Sequence, residues 1–183
     1  MLMGPGAHTI RISLDGVEPE VWRRLVVASD TKLPKFNRML EAVMGWDGYH
    51  LHMFEVGGLR FGPPDEDDEA MIAERNITLA QILPRPGSSL SWTYDFGDNW
   101  THEVVAESIE EIQPGTRYPV CTAGERACPP EDCGGAWGYE ELLAALADPS
   151  HEEHESMVEW APAGFDPATF DLEAANRRLR AIR

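Results

Sequence analysis

The order in which hydrophobic periodicities follow one another constrains the fold of this chain more than any other feature. Alternation of period two dominates its first two thirds, and helical spacing dominates its last third. In His8-Thr9-Ile10-Arg11-Ile12-Ser13-Leu14 the residues Ile10, Ile12 and Leu14 share one side, and residues 21–27 form a second such run beyond Asp15-Gly16 and Pro19. Leu90, Trp92 and Tyr94 alternate with Ser89, Ser91 and Thr93, and residues 100–112 read as their hairpin partner across Phe96-Gly97-Asp98-Asn99. A further strand, 50–56, ends at Gly57-Gly58, and an acidic, solvated loop follows over 63–69. One helix interrupts the strands: Leu33, Phe36, Leu40, Val43 and Met44 recur at helical spacing, with Pro34 in the first turn and Gly45 as the stop.

The C-terminal third is helical by the same reasoning. Tyr139, Leu142, Leu143 and Leu146 form a stripe that Asp148-Pro149 ends, and Ser150 with Glu153 predicts a capping box for a helix reaching residue 160. Asp171 caps a last helix with Leu172, Ala175, Leu179 and Ile182 on one face. Strands first and helices last, without regular βαβ alternation, predict an α+β fold, a mostly antiparallel sheet packed by helices with a helical C-terminal portion. The 183 residues fit a single domain, 1–183, with a cysteine-bearing loop at 119–135 and the helical portion at 136–183.

The formal charge of −17 is unevenly spread, since residues 46–176 carry 5 bases against 27 acids. Such a field repels phosphate backbones, which disfavours nucleic acid as a partner unless Arg23-Arg24 and the tail Arg177, Arg178, Arg180 and Arg183 make a local patch. No apolar run is long enough for a bilayer, and the opening Met1-Leu2-Met3-Gly4-Pro5-Gly6 lacks the basic start and apolar stretch of a secretory signal. A cytoplasmic protein with no membrane association is the resulting expectation, its partner an unidentified protein or small molecule.

Cys121, Cys128 and Cys133 fall within thirteen residues, on a segment rich in Gly and Pro. An odd, clustered set suits a metal site better than a disulfide framework. Zinc fits three thiolates best, with His102, His50, His52 or Asp132 as the fourth ligand, and a centre of that kind is closed and structural. Its rival is a set of ordinary buried thiols.

A second constellation is aromatic and histidine-bearing: Trp46-Asp47-Gly48-Tyr49-His50-Leu51-His52, and Tyr94-Asp95-Phe96-Gly97-Asp98-Asn99-Trp100-Thr101-His102. His50 and His52 are expected on one face of a strand, with Asp95, Asp98, Trp100 and His102 near a hairpin turn, so a carboxylate-imidazole pocket for metal or general-base chemistry is within geometric reach. The competing reading has Asp and His satisfying turn amides while the aromatics fill the core. Hydrolase, nucleotide-triphosphatase and dinucleotide motifs are absent. His151-Glu152-Glu153-His154-Glu155 misses the zinc-protease helix, because position 155 is Glu where a second His is needed.

Tyr94 to His102, Cys128-Pro-Pro-Glu-Asp-Cys-Gly-Gly135 with Gly138-Tyr139, Asp148 to His154, and Phe165 to Asp171 with Asn176 together resemble the plasmid pRiA4b ORF-3-like family. Ile12-Ser13-Leu14, Pro19 to Arg24 and Trp46 to Phe54 fit it as well, so the resemblance spans nearly the whole chain. It implies a protein of unestablished biochemical role, in a family that includes the TnpR passenger proteins of insertion sequences and hence has a link to mobile genetic elements. No recombinase activity carries over, since neither a basic surface nor a recombinase nucleophile pattern is present. Three functions follow: a binding or accessory protein with a structural zinc on the cysteine loop, a metal-dependent hydrolase of a small substrate with the His/Asp pocket, or a DNA-associated accessory protein of a transposable element.

Overall fold

A computed structural model describes residues 6–64 and 68–182. Met1 to Pro5, Asp65, Glu66 and Asp67 of the acidic run, and Arg183 of the basic tail lie outside the described residues, and so do the expectations placed on them. The alternating segments form strands as their patterns require: β1 (Gly6–Leu14) and β2 (Trp22–Ala28), then helix α1 (Leu33–Met44), with bounds equal to those its spacing predicts. β3 (His52–Val56), β4 (Leu59–Gly62) and β5 (Met71–Ala73) follow, then a one-turn helix at Glu74–Asn76, the short α2 (Leu79–Ile82), and the hairpin β6 (Ser89–Tyr94) with β7 (Trp100–Glu111). β8 (Val120–Glu125) precedes α3 (Gly135–Ala147), α4 (His154–Trp160) and α5 (Leu172–Arg180).

The eight strands make one sheet in the order β5-β4-β3-β6-β7-β1-β2-β8. All its pairings are antiparallel except β4 with β5, which establishes the α+β class. Side chains alternate between its faces. Ile10, Ile12 and Leu14 of β1, Leu25 and Val27 of β2, and Trp92 of β6 are buried beneath Phe36, Leu40 and Val43 of α1. Each fully buried aliphatic side chain of this kind contributes about 2 kcal/mol. The opposite face is polar: Trp22 is flanked by Arg11 at 4.5 Å and Arg24 at 5.4 Å, and those arginines pair with Glu20 and Glu107. Among the described residues, no helix is long and apolar enough to cross a membrane.

Two local expectations are corrected. The first half of the cysteine-bearing loop is strand: Cys121 lies in β8, paired with Leu25, and its thiol points into the core. The missed signal is weak because Thr122, Ala123 and Gly124 carry little bulk, and Gly124 is small for a reason, since a Cβ there would stand 2.6 Å from the Phe170 ring. The capping box at Ser150 does not form either. The Ser150 hydroxyl donates to Asp148 Oδ1 at 2.7 Å, and α4 begins only at His154. Asp171 does cap α5, accepting from the Ala174 N–H at 2.8 Å.

Candidate metal centre

The site grows out of an aromatic cluster at the centre of the sheet. The Trp46 ring stacks on Tyr94 at 4.8 Å, lies 6.1 Å from Trp92 and 6.2 Å from Trp100, and meets His102 edge-on at 5.4 Å. Its indole N–H donates to the Pro129 carbonyl at 2.9 Å, which pins the second half of the cysteine segment to the core. The Tyr94 hydroxyl donates to Glu131 Oε1 at 3.0 Å, and the Asp47 N–H donates to the same oxygen at 2.8 Å. Burial pushes the Glu131 carboxyl above its usual range, and burial beside Glu131 raises the Tyr94 phenol. Burial also raises the Glu41 carboxyl, held by Asn37 under the Gly48 turn.

Three chain excursions then converge on one point. His50 arrives just ahead of β3, after Gly48, whose φ of +76° suits glycine. Asp95 closes β6 at φ +59°, a left-handed conformation that Asp tolerates, and its Oδ1 accepts from the Gly97 N–H at 2.9 Å. Asp132 sits at φ +56° in the segment that Trp46 and Asp47 anchor. His50 Nε2 stands 3.0 Å from Asp132 Oδ1, 3.5 Å from Asp95 Oδ2 and 3.8 Å from Glu131 Oε2. Ligand atoms of His50, Asp95 and Asp132 all lie within 4.8 Å of one another, and among the described residues no other group of three His, Cys, Asp or Glu does so.

His50 Nε2 and Glu131 Oε2 are both buried without a hydrogen-bond partner, the 3.0 Å approach to Asp132 being out of line for one. The Tyr49 hydroxyl donates to Asp132 Oδ2 at 2.9 Å, and this contact with a carboxylate raises the phenol to about 12. Asp132 is 60 % exposed while Asp95 is 8 % exposed, so the centre has one walled side and one open side. Tyr49, Glu131 and Asp132 also line a cleft of about 760 Å3, which runs along the loop after α1 and the start of α5.

The remaining candidates have other positions. β3 begins only at His52, and the two histidines have different partners: His52 Nε2 pairs with the Glu74 carboxylate at 2.9 Å, while His50 Nε2 faces Asp95 and Asp132. Asp98 Oδ2 accepts from the Gly134 N–H at 3.1 Å and ties the hairpin to the start of α3. Trp100 and His102 are packed in the core, and burial lowers the His102 imidazole to about 3. Cys121, Cys128 and Cys133 are free thiols, and with His102 they form no group within 4.8 Å. Burial raises all three, Cys128 and Cys133 to about 12. His151 accepts from the Glu153 N–H at 3.1 Å and His154 bonds the Ala145 carbonyl, both as parts of a helix start.

Among the described residues, Arg23, Arg24, Arg177 and Arg178 do not gather into one basic patch. Arg23 and Arg24 occupy opposite faces of β2, Arg177 reaches Asp171 and Glu173, and Arg178 bonds the Trp46 carbonyl and Asp47. One partner of the centre, Glu131, does not stand out in the motif pattern, and Asp132 stands out only as an auxiliary ligand of the cysteines, since both lie between Cys128 and Cys133.

The chain is 39 % identical over 175 residues to the uncharacterized protein y4hQ of Sinorhizobium fredii (strain NBRC 101917 / NGR234), an alignment covering 93 % of this chain and 89 % of that one. Its fold matches the crystal structure of a protein of unknown function, MM3350 from Methanosarcina mazei Go1, with a TM-score of 0.85 and 37 % identity, over 93 % of this chain and 98 % of that one. The family model described as plasmid pRiA4b ORF-3-like protein matches residues 6–174. The chain therefore belongs to the plasmid pRiA4b ORF-3-like family.

Proposed function

We propose that this protein is a metal-dependent enzyme acting on a small molecule, with one divalent cation held by His50 Nε2, Asp95 Oδ2 and Asp132 Oδ1. The observation that carries this reading is the convergence of those three atoms around an imidazole nitrogen that has no hydrogen bond of its own. Donors about 2.1 Å from one ion at angles between octahedral and tetrahedral stand roughly 3.0–3.4 Å apart, close to the 3.0 and 3.5 Å separations here. One imidazole with two carboxylates suits Mn2+, Fe2+ or Zn2+, and three protein ligands leave positions open for water and substrate, as catalytic centres do. Glu131 adds an unpartnered carboxylate oxygen beside the centre, placed to accept a proton from a coordinated water. A structural zinc on the cysteines finds less support, because among the described residues no three of Cys121, Cys128, Cys133 and His102 bring their ligand atoms within 4.8 Å of one another.

Calorimetric titration of chelator-stripped protein with Mn2+ and Zn2+ tests the proposal. One site per chain is expected. Asp95→Asn keeps an oxygen for the Gly97 amide and a residue tolerant of left-handed φ, so it should fold normally yet bind the metal at least about tenfold more weakly. His50→Ala should bind weakest, and Cys128→Ser should bind as the unaltered protein does. No binding at all, or loss of binding on Cys128→Ser with retention in Asp95→Asn, overturns it.

A further inference from the structure

Arg23 is the most deeply buried charged side chain of the described residues, 1 % exposed, yet it lines the same cleft as Glu131 and Asp132. Its donors go only to neutral acceptors: Nε to the Val43 carbonyl at 2.8 Å, and Nη1 to the carbonyls of Trp22 at 2.8 Å and Glu125 at 2.9 Å. Nη2 makes no hydrogen bond, and no carboxylate within salt-bridge distance compensates the charge among the described residues. The ion-paired guanidiniums of Arg11, Arg24, Arg60, Arg177 and Arg178 are all partly exposed. The Phe170 ring covers the guanidinium face at 3.9 Å, in the place that Gly124 leaves open. The nearby thiols Cys121 and Cys128 are neutral in their burial and offer no counter-charge.

A desolvated charge without a counter-charge is costly to bury, and an excess of acids does not itself explain why one guanidinium should be buried with a free N–H edge on a cleft. Arg178, from α5, lines the cleft as well but is bonded to the Trp46 carbonyl and paired with Asp47, so of the two guanidiniums on this cleft only Arg23 has no carboxylate partner. We infer that Arg23 is the floor of an oxyanion subsite, which takes the phosphate or carboxylate group of a small ligand seated in this cleft. Identifying that ligand with the substrate rests on the proposed metal centre, whose Asp132 and Glu131 stand on the wall of the same cavity. Anion binding itself rests on Arg23 alone.

Binding of inorganic phosphate and of acetate to the full chain, followed by calorimetry and by thermal shift in the presence of a chelator, tests the inference. Saturable binding of at least one anion is expected, and which of the two binds tells a phosphoryl from a carboxyl ligand. Arg23→Gln should weaken it by roughly ten- to a hundredfold, the worth of one charged hydrogen bond in a buried site. Arg23→Lys keeps the charge without the planar fork and should also bind more weakly, and it serves if the Gln variant does not fold. Asp95→Asn should bind the anion unchanged, which separates the subsite from the metal centre. Absence of saturable binding by either anion, full retention in the Arg23 variants, or binding that appears only after metal is added overturns the subsite.

Discussion

His102 gives the fold a pH dependence of calculable size. Its ring is fully buried between Trp46 and Trp92, Nδ1–H donates to the Trp92 carbonyl at 3.2 Å, and Nε2 has no partner, so a second proton there would be both buried and unpaired. Burial therefore pushes the imidazole down to about 3, against an ordinary value of about 6.5 in the unfolded chain. A depressed folded value makes the unfolded state the better proton acceptor, so this contribution is whole above pH 6.5 and is lost as pH falls from there towards 3. Between pH 7 and pH 5 the unfolded imidazole takes up about three quarters of a proton that the folded one refuses, which integrates to a loss of about 2 kcal/mol. His102→Phe keeps a flat ring in the aromatic cluster and cannot titrate. Urea denaturation of both proteins at pH 7 and pH 5 isolates the effect, because His8, Glu41 and Glu131 titrate in both and cancel in the difference. The unaltered chain should lose about 2 kcal/mol more than the variant over that interval. Equal losses in the two proteins would refute a neutral, sealed His102.

Asn176 of α5 completes the edge of the sheet, its Oδ1 accepting from the Cys121 N–H and its Nδ2 donating to the Cys121 carbonyl, both at 2.9 Å. Asn176→Ala orphans both groups and should cost about 2 kcal/mol in chemical denaturation. A Cβ at Gly138 would stand 2.1 Å from the Cys133 carbonyl oxygen, so Gly138→Ala should destabilise by more than about 3 kcal/mol or shift α3, seen as a lowered melting temperature. With burial holding Cys128 and Cys133 at about 12, neither should react with an aromatic disulfide reagent at pH 8 until denaturant is added, which a thiol titration reads directly.

Much of the fold is legible in the sequence because its strands and long helices carry strong periodicities. Leu33–Met44 is a helix with an apolar stripe, a first-turn proline and a glycine stop, and all three signals agree on its ends. β4, β5 and α2 are three or four residues long, too short for a period to show: β4 and β5 are held by pairing with β3 and with each other, and α2 by backbone bonds to Thr31 and Ser29. β8 escapes notice for a related reason: its register comes from β2 on one side and from Asn176 on the other, while Gly124 answers to Phe170 rather than to strand propensity. At the site, His50 and Asp95 are visible as an imidazole and a turn carboxylate in aromatic motifs. Glu131 is not, and Asp132 is visible only as an alternative fourth ligand for the cysteines, because the link from residue 50 to residue 132 is made only by tertiary contacts.

Those contacts explain why the centre of this sheet is built from aromatics rather than aliphatics. A leucine cluster could supply the same burial, but its side chains end in methyl groups. Here three of the buried rings have a polar tip that reaches outward: Trp46 Nε1–H holds Pro129, the Tyr94 hydroxyl holds Glu131, and Trp92 Nε1–H holds Asn37 Oδ1 at 2.9 Å. Asn37 in turn donates to Glu41, which sits under the Gly48 turn that delivers His50. The residues that close the core thus also orient the excursions bearing the candidate ligands. Loops with left-handed residues at Gly48, Asp95 and Asp132 would otherwise sample many conformations, and an ion would have to order them on binding. Anchoring them to buried rings transfers that ordering to the folding reaction, so the site is arranged before any ligand arrives.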